Sequence, residues 1–351
     1  MRSRPLLGSS LSALVPALLV ACQATPPAAG VETSHGAVRA ATAERAEEVA
    51  TMLDALLPRV TALVPDSRER PLEVWVQAKP RLYRFWTTSD EEADGFWAER
   101  PGRIHLRETG GGLERTLAHE LVHATLGESW RRLPGTLEEG VCDWVSARLC
   151  PLNASRLRAG RLSAACFATG GMELDVDLLV PGPPDTLAIE IGYSASVLLR
   201  SEEEVPIDPS RVFEVRAGMS DSGLSSTSKK AYYGIAFLLV DRITERSGLQ
   251  GLHELCRRAQ ARGMDEVPAE WFLAAAGLEG ADTATWRAAI HDALDARDLR
   301  EMLAMYPALL TDTLDRIGGV EFPGAHAARV QARIAVGGTD EGVELQLVLE
   351  H

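Results

Sequence analysis

Apolar positions recur every three to four residues over 43–57, where Val49, Met52, Leu53, Leu56 and Leu57 fall on one stripe and predict an amphipathic helix. The period then drops to two. Leu72-Glu73-Val74-Trp75-Val76 alternates, and shorter runs of the same kind over 82–87, 95–97 and 103–106 predict a small sheet. From residue 113 the spacing is helical again up to a break at Gly127, then over 136–149, 153–165 and 188–200, then along an apolar stretch that runs to Arg246, then over 249–262 and 284–296. Gly- and Pro-rich stretches around 170–185 and 201–228 predict loops, the second long enough to overhang a cleft. The segment Ala269-Glu270-Trp271-Phe272 reads as packing. Alternation returns over 328–336 and 343–350, on either side of Gly337-Gly338-Thr339-Asp340-Glu341-Gly342, and predicts a β-hairpin. The expected fold is α+β: a small N-terminal mixed sheet, a mostly helical lobe and a C-terminal hairpin. The boundaries are a folded unit over 41–300, with its sheet part in 41–112 and its helical part in 113–300, and an extension over 301–351.

Residues 1–40 differ in kind. Met1-Arg2-Ser3-Arg4 is basic, and residues 6–21 are an apolar run broken by Pro16 and too short to span a membrane comfortably. Its end, Leu19-Val20-Ala21-Cys22, resembles the bacterial lipobox, which implies removal of residues 1–21 and acylation of Cys22. Gln23 is not the Asp that retention at the inner membrane would require, so the resemblance points to the outer membrane, facing the periplasm or the cell exterior. Residues 22–40, rich in Ala, Pro, Thr and Gly, read as a flexible tether.

The chain carries 50 acidic against 36 basic residues, a net charge of −14, and losing Arg2 and Arg4 makes it more negative still. Such a chain repels phosphate backbones and anionic headgroups, so nucleic acid is excluded as a partner and any membrane attachment falls to the lipid. Four cysteines lie beyond Cys22: Cys142, Cys150, Cys166 and Cys256. They permit two disulfides in an oxidising compartment, with Cys150–Cys166 the local pair, while Cys142 reads equally well as a small buried apolar residue. Oligomeric state is not legible.

The chemistry is concentrated in 113–143. In His119-Glu120-Leu121-Val122-His123 the two imidazoles fall four residues apart on one helical face, able to reach a single metal ion, with Glu120 leaning over the same face. Zn²⁺ takes imidazole nitrogen and carboxylate oxygen, and a catalytic site uses three protein ligands and leaves the fourth place to water. Bound water is acidified to a pKa of roughly 7, and a neighbouring carboxylate, here Glu120, can act as its base. Glu139 is the candidate third ligand, near the start of the helix over 136–149. It also fits the reciprocal position of a capping box, Thr136-Leu137-Glu138-Glu139. Asp143, one turn on, can orient His119 or His123 through the ring nitrogen turned away from the metal. Glu138 reads as a solvated first-turn charge, His105 as a strand-surface residue, His253 and His291 as surface or packing residues, and Gly110-Gly111-Gly112 as a flexible lead-in.

His119-Glu120-Leu121-Val122-His123 followed by Leu133-Pro134-Gly135-Thr136-Leu137-Glu138-Glu139-Gly140-Val141-Cys142-Asp143-Trp144 resembles the gluzincin zinc metallopeptidases. The nearest patterns are those of the thermolysin-like, aminopeptidase-N-like and peptidase-MA-like families. The gap between the helices departs from the aminopeptidase-N pattern by a few residues, implying a shorter loop. The resemblance implies a zincin-like fold with one Zn²⁺ on His119, His123 and Glu139, and Glu120 as general base. It further implies a sheet strand within 95–106 beside the cleft, pairing with an extended peptide, and a Tyr at a helix head donating to the oxyanion. Tyr233 matches that position, with Tyr232 second. The activity expected is hydrolysis of peptide bonds in the cell envelope, as an endopeptidase since no motif for binding a peptide N-terminus is present. The alternative from another class is a catalytically silent domain of the same fold, serving as an envelope binding or assembly factor.

Overall fold

A computed structural model describes residues 26–78, 94–99, 101–108, 112–167, 172–181, 196–199, 208–215, 226–294, 298, 327–336 and 342–350. The signal-like run over 1–21, Cys22 and the strand expected over 82–87 lie outside the described residues. The architecture is α+β.

The first surprise for a reader of the sequence is residues 29–40. Instead of a tether they form a hairpin, β1 (Ala29–Thr33) and β2 (Gly36–Ala40), with Val31 opposite Val38. What orders so small a segment is non-local: β2 pairs in parallel with β3 (Leu72–Gln77), which supplies its backbone partners, and Val38 is fully buried opposite Val74. β5 (Arg103–Arg107) pairs in parallel with β3, and β4 (Gly95–Ala98) lies antiparallel on β5, giving the order β1-β2-β3-β5-β4. The ladder Val38, Val74, Ile104 turns one face of this sheet to the helices. The opposite face carries Trp75 and His105. His105 is not a surface residue as its alternation suggested: Phe96 stacks on it at 4.5 Å, Trp75 meets it edge-on at 5.5 Å, and Gln77 Oε1 lies 2.8 Å from its Nδ1.

Helix α1 (Ala43–Leu63) starts under a Thr42 cap that accepts from the Arg45 N–H, and buries Ala46, Val49, Leu53, Leu56, Leu57 and Val60. It runs six residues past the expected end at Leu57 and through Pro58, because Pro58 lies on the exposed side where water can meet the carbonyl deprived of its donor. The metal-binding candidates lie on α2 (Leu113–Thr125) and α3 (Leu137–Leu149), joined through a short 3₁₀ turn, Glu128–Arg132. Then come α4 (Pro151–Phe167), α5 (Ser226–Ala261, bent at Gly248), α6 (Ala269–Ala276) and α7 (Thr283–Ala293).

Helix α5 is the member against which α3 and α4 pack, and two glycines set how close they come. A Cβ on Gly140 of α3 would stand 2.6 Å from the Ala236 carbonyl oxygen, and one on Gly234 of α5 would stand 2.2 Å from the Arg161 carbonyl oxygen of α4. Nothing larger fits at either crossing.

The helical part also holds strands where a loop and a helix were expected. Residues 172–181 form β6 (Met172–Pro181), and 196–199, expected within a helix over 188–200, form β7 (Ser196–Leu199). Both belong to a second, wholly antiparallel sheet, β7-β6-β8-β9, completed by the C-terminal hairpin β8 (Ala327–Val336) and β9 (Gly342–Glu350). The hairpin was legible from its own alternation; its partner β6 pairs with a stretch about 150 residues downstream, which no local pattern discloses.

Candidate metal centre

His119 and His123 sit one turn apart on α2, their rings edge-on with centroids 5.1 Å apart. Facing them is the first half of α3. Glu139 Oε2 lies 3.2 Å from His119 Nε2 and 3.5 Å from His123 Nε2, so one carboxylate oxygen meets the same nitrogen of both rings. The capping alternative for Glu139 does not hold: Thr136 makes no side-chain cap, and its hydroxyl donates to the Val215 carbonyl instead.

The outward nitrogens are also held. His119 Nδ1 is 3.0 Å from Asp143 Oδ1, which settles which imidazole Asp143 serves, and His123 Nδ1 is 2.6 Å from Glu138 Oε1. Glu138 is therefore no free surface charge, although its side chain stays 44% exposed. Asp143 is fully buried, and its second oxygen accepts from Arg161 Nε of α4. Arg161 in turn lies 5.0 Å above the Tyr233 ring. Tyr232 points into the core at 1% exposure, whereas the Tyr233 hydroxyl lies within the electrostatic reach of Glu139, Arg161, Asp143 and His123.

Charge follows from this geometry. Burial works against a charged His119, but the Asp143 and Glu139 carboxylates outweigh it and hold the imidazole up at about 9. Burial likewise disfavours charge on His123, and Cys142, Glu139 and Glu138 outweigh it, holding it well above its ordinary value. Burial raises Glu139, yet the two imidazoles bring it well below the usual carboxylate range. Asp143, similarly buried, is held down at about 2 by Arg161 and His119. Glu120 is pushed upward by burial against the pull of both imidazoles, and the Trp97 backbone of β4 acts in the same sense as the imidazoles. Burial raises the Tyr233 phenol well above its ordinary value, and Glu139 adds to the rise.

The separations around Glu139 suit a shared zinc ion. Ligands at 2.0–2.1 Å around a tetrahedral Zn²⁺ stand about 3.3 Å from one another, and the two nitrogen–oxygen separations here, 3.2 and 3.5 Å, bracket that value. Two imidazoles and one carboxylate are a donor set that zinc accepts, and each ring has a carboxylate at its other nitrogen.

Three members of the site were missed from sequence. Arg161 reaches it only because α4 packs beside α3, and no local pattern marks it. Glu138 was hidden by its own first-turn position. Cys142 could have been found by helical spacing, three residues after Glu139 on the same face, and its sulfur and a ring nitrogen of each of His119 and His123 all lie within 4.8 Å of one another. The expected disulfides are not made: Cys142, Cys150 and Cys256 are free thiols, and the side chain of Cys166 lies outside the described residues. Cys150–Cys166 fails on geometry, since α4 starts immediately after Cys150 and fifteen helical residues at 1.5 Å each carry Cys166 about 20 Å away. In comparisons with protein-family models, with curated proteins and with solved structures, nothing matches this chain.

Proposed function

We propose that this chain is a gluzincin-type zinc endopeptidase of the bacterial cell envelope, carried there by a lipid on Cys22. The observation that carries the reading is the meeting of the Glu139 carboxylate with the Nε2 atoms of both His119 and His123. Those three side chains would hold the metal. When bound, zinc supplies Lewis acidity, polarising the scissile carbonyl and acidifying water. Glu120, one step round α2 from His119 and raised by burial, takes the proton from that water and passes it to the leaving amine nitrogen. Asp143, itself anchored by Arg161, keeps the His119 ring turned with Nε2 inward, and Glu138 does the same for His123. Tyr233 stays protonated and is the donor for the developing oxyanion, a contribution of typically 10²–10³ in rate.

Substrate would lie along β4, an edge strand of the described first sheet, where a Cβ on Gly95 would stand 3.3 Å from Glu120 Cγ. An extended peptide added to that edge gains main-chain hydrogen bonds with little side-chain selectivity, which suits a protein or peptide substrate. Among the described residues no helix is long and apolar enough to cross a membrane. The lipid and the outer-membrane address rest on residues 1–23 of the sequence alone.

The test is zinc content beside hydrolysis of a general protein substrate. The full chain should bind one zinc and lose activity to a chelator, and Glu120→Gln should keep the zinc while activity falls about 10²–10⁴-fold. A Glu120→Gln protein as active as the parent, or a chain that takes up no metal, overturns the reading.

A further inference from the structure

Cys142 is the one nucleophilic side chain of the centre to which the proposed reaction gives no work. It is fully buried, unpaired with any other cysteine, and placed on the face of α3 that also presents Glu139 to the imidazoles. Its sulfur lies with a ring nitrogen of each of His119 and His123 in a set whose members are all within 4.8 Å of one another. Cys256 provides the contrast within the same protein. It is equally buried, on the far half of α5, and only burial and its own backbone act on it, so it behaves as a small apolar residue. Burial alone does not bring a sulfur to two imidazoles; the helical spacing from Glu139 does.

The geometry points to Cys142 as a protein donor to a metal held by His119 and His123, the three side chains whose donor atoms converge; with Glu139 also bound, its sulfur would take the place that solvent otherwise occupies. The inference rests on the metal-centre reading above. As the metal–sulfur bond forms, the thiol proton leaves to solvent, since a coordinating thiol is deprotonated outright. A resting set of two imidazoles, a carboxylate and a thiolate has no open position. Hydrolysis would then need Cys142 to move aside as its protonated thiol, leaving that place to water. The sulfur also narrows the choice of metal, because thiolate favours zinc and cobalt over magnesium, calcium and manganese.

The decisive measurement is the absorption spectrum of the cobalt-substituted full chain, with cobalt content determined on the same sample. One equivalent of Co²⁺ should bring an intense thiolate-to-cobalt charge-transfer band in the near ultraviolet. Cys142→Ser should keep the cobalt and its visible bands but lose the charge-transfer band, and Cys256→Ser should keep both. X-ray absorption at the zinc edge of the unsubstituted protein needs no variant to fold, and should show one sulfur at about 2.3 Å. One bound metal with neither the band nor the sulfur overturns the role of Cys142 while leaving the metal centre standing. No bound metal overturns the centre itself.

Discussion

Asp143 shows how much a single residue carries here. One carboxylate oxygen faces His119 Nδ1 and the other accepts from Arg161, so the same buried charge orients an imidazole and neutralises a guanidinium. Asp143→Ala should cost about 3 kcal/mol, the lower end for breaking a buried pair, because the Arg161 side chain keeps a quarter of its surface in water. Asp143→Asn keeps the shape and should weaken zinc about 10–100-fold in a competition titration, with a smaller loss of Tm. An Asn variant with unchanged zinc affinity removes Asp143 from the orienting role. The pH response follows from the same contacts. In chelator-stripped protein His119 is held at about 9, above its ordinary 6.5, so its contribution to stability is complete below pH 6.5 and is lost as pH rises through 9. Asp143, held at about 2, acts in the opposite sense: its contribution is present above its ordinary 3.8 and is lost as pH falls towards 2. Zinc must displace the imidazole proton, so the Tm gain on adding zinc should grow between pH 6.5 and 9, while the stripped protein's own Tm declines. A zinc-induced gain that shrinks over that interval contradicts the assignment. At this scale the grouping of side chains was legible wherever it follows from spacing along one helix: His119 and His123 fall together by one turn of α2, and Glu139 and Asp143 by one turn of α3. It was opaque for Arg161, which enters from a neighbouring helix.

The elements explain why the site residues meet. α2 and α3 present two imidazoles and three carboxylates to each other, and α3 can come that close to α5 only because residue 140 has no side chain. Gly140 follows Glu139 directly, so a change at the crossing shifts the ligand. Gly140→Ala should raise helix propensity slightly, yet the new Cβ meets a backbone carbonyl at 2.6 Å and overpacking of this kind costs typically 1–3 kcal/mol. The expected result is a lower melting temperature together with weaker zinc binding. Lost stability with unchanged zinc affinity would mean that the strain is absorbed away from Glu139. Among the elements, α1, β3, β5, α2, α3 and the β8–β9 hairpin all announce themselves through their own periodicity. β1, β2 and β6 do not: β2 is ordered by parallel pairing with β3, and β6 by a strand from the end of the chain. Met172, Leu174, Val176 and Leu178 do alternate with Glu173, Asp175 and Asp177, but the flanking Gly and Pro residues read more loudly as loop.

For the molecule as a whole, the division of labour runs across the chain order. Every proposed metal donor and its supporting carboxylates fall between His119 and Asp143, with Arg161 and Tyr233 added from α4 and α5. The second sheet takes its strands from two places, before and after α5, α6 and α7, and β6 is held between β7 on one side and β8 on the other. Ending the chain after residue 326 would remove β8 and β9, leaving ten consecutive residues of β6 without their ladder on that side. Unpaired strand edges of this length are templates for pairing with another chain. The truncated protein should therefore self-associate, visible as larger species by light scattering, while its zinc content stays at one per chain because no donor has been removed. The full-length chain keeps β6 paired on both sides and has β9 as the edge strand of this sheet, so it is the reference against which the truncated protein should show the larger species. A truncated protein that stays dispersed would show that β6 is not held by β8. One that loses its zinc would show that the second sheet supports the metal helices as well as its own strands.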